Sequence, residues 1–402
     1  MAKTQTAKFK QTVNAPAAQA YRAFTNSTAL REWMCDGATA DARKGGRLYV
    51  WWNDGYTASG EFTTLTLNKK VAFTWRGRGE PDATKVQVSL AEKNGSTVVT
   101  VTHSGFGSGK AWAKAVKELT GGWEYAMENL ASVLGSGPDL RIATRPMLGI
   151  MVDAFDAEIA KKIGVPVADG LRLSGTLEGM GARAAGLQKD DVIVSLGGKK
   201  VTGNTLAGAL QGRRGGDTVP VVFYRGQEKQ KVMMQLSRRP LPEIPATAGQ
   251  LAEAVRKMYA ELDVELAKCF EGVTEEEASF KPTPDEWSAK DVLAHLLAGE
   301  RDGHSFITEA IDGVGRWYDG FGGNVEARHT AVIAAYPTVQ AMLEEYRRNE
   351  IETVALLAAL PPEFVARKGS YWSLAFGFLQ PPFHNHEHFN QIRAAIEAAR
   401  KK

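Results

Sequence analysis

The sequence predicts a multidomain protein: an α+β segment, then a β-rich segment, then an all-α four-helix bundle. Three observations lead there. Up to His103, runs of Val, Thr and aromatic residues alternate with polar ones, the period of a half-buried strand. A second group of such runs lies between a glycine-containing and a proline-rich connector. Beyond Gln250, apolar residues recur every three or four positions over four long stretches, the period of an amphipathic helix. At 402 residues the chain also exceeds what one ordinary core holds.

The first segment is assigned to residues 1–135. It opens with the strand-like AKFKQTVNA and a helical stretch from Pro16 to Trp33. GRLYVWW, ASGEFTTLTL, VAFTWRG, KVQVSLAEK and STVVTVTH then read as strands. Asn94-Gly95, between the last two, is a strong hairpin signal, because both residue types tolerate the positive φ of a type I′ turn. Trp112, Val116, Leu119, Trp123, Met127, Leu130 and Leu134 mark one long amphipathic helix from about Lys110 to Leu134. An antiparallel sheet carrying one long helix is an α+β layout.

GSGPDLRIATR, residues 135–145, reads as a linker. The second segment, 146–237, has strands at PMLGIMV, GLRLSGTL, DDVIVSLGG, TVPVVFYRG and EKQKVMMQL. Two short helices fit at Ala182–Ala185 and Thr205–Gln211. SRRPLPEIPATAG carries three prolines and reads as a stiff spacer. The third segment, 248–402, has helices at Gln250–Glu271, Ala289–Ile311, Thr338–Leu360 and His384–Lys402, a bundle.

Composition narrows the function. The 44% hydrophobic and 24% charged residues are those of a globular protein. No apolar run is long enough to span a bilayer, and the N-terminus lacks the apolar core of a secretory signal, so a cytoplasmic location is expected. Cys35 and Cys269 sit in ordinary apolar patterns and read as reduced thiols. Ala246 to Lys402 holds 16 Lys and Arg against 24 Asp and Glu, which leaves 33 against 22 for the first 245 residues. The positive charges are scattered among strands and turns, so a nucleic-acid partner is not expected.

Three of the seven histidines fall within PFHNHEHFNQI, residues 382–392. His384 and His388 are four apart and share one face of a helix, while His386 points away. Two such imidazoles are half of a metal site, or simply a solvated helix face. His295, inside the apolar pattern of WSAKDVLAHL, is the candidate third ligand, since a bundle can bring its helix against the last one. Three neutral nitrogens with open positions suit zinc, nickel, manganese or iron. Asp291, one turn before His295, reads equally as a partner behind that ligand or as a helix cap. His103, at a strand end, reads as a surface or hydrogen-bonding residue, and His304 and His329 read as surface or loop residues. Six of nine tryptophans precede residue 135, namely Trp33, Trp51, Trp52, Trp75, Trp112 and Trp123. They either fill a core or line a cavity.

Three resemblances sharpen this. NSTALREWMCDGATADARKGGRLYVWW, SGEFTTL, VAFTW and GGWEYAMENL resemble the helix-grip, START-like (SRPBCC) superfamily over about residues 5–135, in a branch similar to the C-terminal domain of the activator of heat-shock-protein ATPase. That resemblance implies a seven-stranded sheet gripping a long helix and a cavity for an apolar small molecule, with Trp33, Trp75 and Trp123 expected to line it. Pro146-Met147-Leu148-Gly149-Ile150 with GARAAGLQKDDVIVSLGGKKV resembles HtrA-like PDZ domains over 146–237. It implies that Met147, Leu148, Gly149 and Ile150 bind the terminal carboxylate of a partner's C-terminal peptide, with an edge strand alongside. Asp190-Asp191 stands where the family usually has Gly-Asp, which is expected to strain that turn. PTPDEWSAKDVLAHL and HNHEHFNQI are similar to the DinB/YfiT-like superfamily, which includes metal-dependent hydrolases and thiol S-transferases. It implies that His295, His384 and His388 are the metal ligands and that bundles of this kind often pair as homodimers.

The sequence thus points first to a ligand- and peptide-binding protein with a three-histidine metal site, in a regulatory or stress-related role. The alternatives are a metal-dependent hydrolase or thiol S-transferase acting at that site, and a co-chaperone-like ATPase activator.

Overall fold

The computed structural model describes residues 5–203, 205–284, 286–315 and 326–402. Two compact units emerge. One comprises Met1–Trp51, Thr57–Gly137 and Pro242–Lys402; the other comprises Trp52–Tyr56 and Pro138–Leu241.

The first unit opens with β1 (Gln5–Val13), α1 (Ala17–Thr25) and α2 (Ser27–Trp33). The helical stretch expected from Pro16 to Trp33 is broken at Asn26, whose side chain accepts from Ala29 N–H and caps α2. Then follow β2 (Gly37–Ala40), β3 (Arg47–Trp51), β4 (Thr57–Thr66), β5 (Lys70–Gly77), β6 (Thr84–Lys93), β7 (Ser96–Phe106) and α3 (Lys110–Gly135). The strands form one antiparallel sheet in the order β1-β7-β6-β5-β4-β3-β2. Alternation decides which face is buried. Val71, Phe73 and Trp75 of β5, Val86 and Val88 of β6, and Val99 and Val101 of β7 all point inward. Trp123, Met127 and Leu130 of α3 are buried with them. Asn94 and Gly95 have φ of 52° and 75° in the β6–β7 turn, as the hairpin signal requires. The short β2 escaped the sequence reading, because GATA carries no strand-forming side chain except Thr39.

The second unit contains α4 (Leu140–Ala143), β8 (Ile150–Asp153), α5 (Ala157–Ile163), β9 (Leu171–Thr176), α6 (Gly181–Ala184), β10 (Val192–Leu196), β11 (Lys199–Lys200), α7 (Leu206–Leu210), β12 (Thr218–Arg225) and β13 (Glu228–Gln235). Its sheet runs β13-β12-β10-β9-β8, with β11 paired to β10, so β8 is an edge. Leu173, Ile193, Leu196, Val219, Val221 and Met234 form its core.

The helical part of the first unit runs α8 (Ala248–Cys269), α9 (Glu275–Ser279), α10 (Ala289–Asp312), α11 (Glu326–Ala335), α12 (Val339–Ala358), α13 (Pro362–Val365), α14 (Lys368–Leu379) and α15 (Phe383–Arg400). The four long helices of the sequence reading are α8, α10, α12 and α15. It misses α9, α11, α13 and α14, of which α14 is the longest. KGSYWSLAFGFL is apolar all round, so no amphipathic period announces it. Helix α14 packs against α8 and α10 on one side and against α2 and α3 of the sheet domain on the other. Polar bonds reinforce that junction. Thr28 Oγ1 and Asn26 Nδ2 donate to Gly313 O, and Arg31 Nη2 donates to Gly315 O at 2.8 Å. No helix among the described residues is long and apolar enough to cross a membrane.

Candidate functional site

Helix α10 starts from a capping box. Ser288 Oγ accepts from Asp291 N–H, and Asp291 Oδ2 accepts from Ser288 N–H. This settles Asp291 as a cap. Two turns on, His295 stands between the buried Val292 and Leu296. Helix α15 begins at Phe383, so His384 and His388 lie in its first two turns, beside α10. The three imidazoles meet. His295 Nε2 is 3.5 Å from His384 Nε2, and His384 Nε2 is 3.0 Å from His388 Nε2. One ligand atom from each lies within 4.8 Å of the others. His384 is exposed and the other two are half-buried, so the cluster opens to solvent on the His384 side.

Electrostatics favours neutral rings at His295 and His384. Burial first, then the charges of His388 and His384, push the His295 pKa down to about 4. Burial, then His388, lowers that of His384. His388 Nδ1–H donates to Gln391 Oε1 at 3.0 Å, which leaves its Nε2 lone pair facing the cluster. His295 Nδ1 is buried and makes no hydrogen bond among the described residues. Packing holds that ring instead, with Trp287 tilted against it at 5.3 Å. The donor set fits a divalent transition ion. Two nitrogens about 2.0–2.1 Å from a tetrahedral ion lie about 3.3 Å apart, close to the His295–His384 and His384–His388 separations.

His386 stands outside the cluster, 3.0 Å from Glu265 Oε2 of α8. Two other histidines differ from their surface or loop reading. His329 is 3% exposed and packs its ring 5.0 Å from Trp287 and 5.9 Å from His295. His304 Nε2 is within 3.0 Å of Asn349 O and Thr353 Oγ1 inside the bundle. The sequence reading also passed over Gln391, although its place three residues after His388 puts both on one helix face. It missed an acid group within the bundle too: Asp263, Glu300 and the buried Glu350 come from three helices, and Tyr259 Oη donates to Glu300 Oε2 at 3.0 Å.

The three singled-out tryptophans are not brought together. Trp33 packs on Phe24 at 5.0 Å, and its Nε1 donates to Ala23 O. Trp75 and Trp123 adjoin at 6.3 Å, around His103. All three are at most 4% exposed. His103 is an interior residue, not a surface one. Trp123 Nε1–H donates to its Nδ1, and its Nε2 lies 2.7 Å from Thr84 Oγ1, which itself donates to Trp75 O. Thr84 thus accepts from Nε2–H, and the ring is neutral with both nitrogens used.

In the second unit, Met147 exchanges two backbone hydrogen bonds with Ser237, and Leu148 O accepts from Ala182 N–H. The Leu148 side chain belongs to the core. Gly149 has φ 77°, and a Cβ there would lie 2.2 Å from Met180 Cβ. Among the described residues nothing accepts from the N–H groups of Leu148 and Gly149. Ile150 opens the edge strand β8. Asp190 takes φ 67°, the glycine-like conformation expected to strain the turn. Arg172 holds it with two bonds of 2.7 and 2.9 Å.

Comparison with known proteins defines two of the parts. Residues 14–135 match the family model "Activator of Hsp90 ATPase homolog 1-like protein", and residues 258–392 match the "DinB superfamily". The chain thus carries a sheet domain similar to Hsp90 ATPase activators, a second sheet, and a helical region that matches the DinB model. Among individual proteins, it is 28% identical over 134 residues to the human activator of 90 kDa heat shock protein ATPase homolog 1. It is 25% identical over 130 residues to a probable periplasmic serine endoprotease DegP-like of Marinomonas sp. (strain MWYL1). These stretches are 33% and 32% of this chain, and they span only 37% and 28% of the two relatives. Among solved structures, an HSP90 activator from Plasmodium falciparum aligns over 32% of this chain and 95% of its own, at 23% identity and TM-score 0.29.

Proposed function

We propose that this chain is a multidomain binding and regulatory protein whose helical bundle holds one divalent transition-metal ion on His295, His384 and His388. The convergence of three Nε2 atoms, two pairs of them 3.0 and 3.5 Å apart, carries the reading. When bound, such an ion supplies Lewis acidity. The residues themselves hold it, and Gln391 keeps His388 in the right tautomer. The division into segments 1–135, 146–237 and 248–402 is part of the proposal. So is a peptide-binding role for 146–237, supported by the Leu148 and Gly149 N–H groups, which have no acceptor among the described residues, and by the edge position of β8. An apolar small molecule would sit against Trp75 and Trp123. The likeness of the sheet domain to Hsp90 ATPase activators supports a stress-related role.

A second reading is an enzyme, a metal-dependent hydrolase or thiol S-transferase. The exposure of His384 favours it, because a small substrate can approach the cluster from that side.

Elemental analysis of the tag-free chain tests the core of the proposal. One metal per chain is expected in the wild type and in His386→Ala, and little in His384→Ala. A wild type without metal, or His384→Ala with a full complement, defeats it.

A further inference from the structure

We propose that the cleft where α1 and α2 meet α13 and α14 binds a phosphoryl group, as free phosphate or as the head of a small phosphate monoester. The cleft has a volume of about 20 Å³ and is lined by Arg22, Glu32, Arg367, Lys368 and Ser370. About 10–15 Å³ suffices for one water-sized group, so the cleft accepts one or two oxygens of an oxyanion whose remainder stays in solvent.

Its charges are unbalanced. Three cations face one carboxylate, and that carboxylate is already engaged. Ser370 Oγ donates to Glu32 Oε1 at 2.6 Å, and Arg22 Nη1 lies 3.5 Å from Glu32 Oε2. Arg367 Nη2 donates to Ile311 O, and Lys368 Nζ donates to Gly135 O, so both bond to neutral carbonyls. Two guanidinium donors, Arg22 Nη2 and Arg367 Nε, are buried without an acceptor among the described residues. Both arginines crowd one glycine: a Cβ on Gly313 would lie 3.1 Å from Arg22 Nη2 and 3.6 Å from Arg367 Nη1. Burial, with the Arg22 charge second, lowers the Arg367 pKa against the opposing pull of Glu32 and Glu363.

A bridging oxyanion removes this conflict. It turns repulsion between two guanidinium groups into charge-assisted hydrogen bonds, for which their planar forks are suited. A phosphoryl group carries about −1.5 to −2 charges near neutral pH. It therefore matches the surplus of two positive charges among the lining side chains better than a monocarboxylate does.

Calorimetric titration of the full chain with inorganic phosphate and with glycerol phosphate, at constant ionic strength, tests this. One saturable site per chain is expected, and the tighter probe names the source. Arg22→Gln with Arg367→Gln should weaken binding at least about ten-fold, and Lys368→Gln several-fold. His384→Ala should leave it unchanged, which separates this cleft from the histidine cluster. Lys368→Gln guards against misfolding of the double variant, because its exposed side chain bonds only a backbone carbonyl. No saturable binding of either probe overturns the proposal, as does unchanged affinity in Lys368→Gln and the double variant.

Discussion

Replacing Gln391 by alanine isolates how the histidine cluster is organised. Among the described residues Gln391 bonds to the cluster through His388, accepting from its Nδ1–H at 3.0 Å. The bond does two things. It fixes the tautomer that leaves the Nε2 lone pair free, and it holds the ring plane toward His384. Without it, His388 samples the other tautomer and other rotamers, and binding a metal must restore the order. Loss of such a partner behind a ligand typically weakens metal affinity about 10–100-fold, or about 1.4–2.8 kcal/mol. The effect should sit toward the lower end, because Trp287 still stacks on His388 at 22°. Competition against a fluorescent zinc chelator at neutral pH measures it. Gln391→Glu, which keeps an acceptor, should retain or raise affinity, and His386→Ala should be silent. An alanine variant within about two-fold of the wild type refutes the reasoning.

Four further outcomes are expected. Burial pushes the His103 pKa down to about 4, while the unfolded chain takes that proton near 6.5. Between those values the unfolded state binds more protons, so stability falls on acidification by up to about 3 kcal/mol. Urea denaturation of His103→Phe should lose this share of the slope, and an unchanged slope argues against the buried neutral ring. Glu350, raised to about 9 by burial and then by Asp263 and Glu300, keeps a proton that the unfolded chain releases above 4.5. Its contribution therefore shrinks as pH rises through that window, and Glu350→Gln should be more stable than wild type near pH 8 by at least about 1 kcal/mol, with no gain near pH 4. Gly149→Ala, strained by φ 77° and the clash with Met180, should cost about 1–3 kcal/mol and abolish binding of apolar C-terminal peptides. Wild-type binding should also vanish when the peptide is amidated, and equal affinity for acid and amide forms removes the carboxylate-loop reading. Limited proteolysis cutting within 138–145 and 237–241 should release the second sheet, while 5–137 and 242–402 stay together through α14. Separation of those two pieces under native conditions contradicts the shared packing.

Local signals in the chain determined much of this protein. Alternation specified most strands of both sheets, though not the short β2 and β11, and Asn94-Gly95 specified a turn, because side-chain period and allowed φ act within a few residues. The spacing of His384 and His388 put them on one face, since a helix repeats every 3.6 residues. Other features depend on distant partners, and only the tertiary structure decided them. His295 reads as a ligand from pattern alone, but its distance from α15 follows from how the bundle packs. His103 looks like a lone strand-end histidine until Trp123 and Thr84 close on it from α3 and β6. His329 carries no mark of burial, and its place beside Trp287 exists only once α11 folds against α10. Helix α14 is the sharpest case. Hydrophobic on every side, it has no period to read, and it is stable only because the sheet domain covers one side and the bundle the other. The Arg22–Arg367 cleft arises at that same junction, from residues 345 positions apart in the chain, brought together by packing that no local pattern encodes.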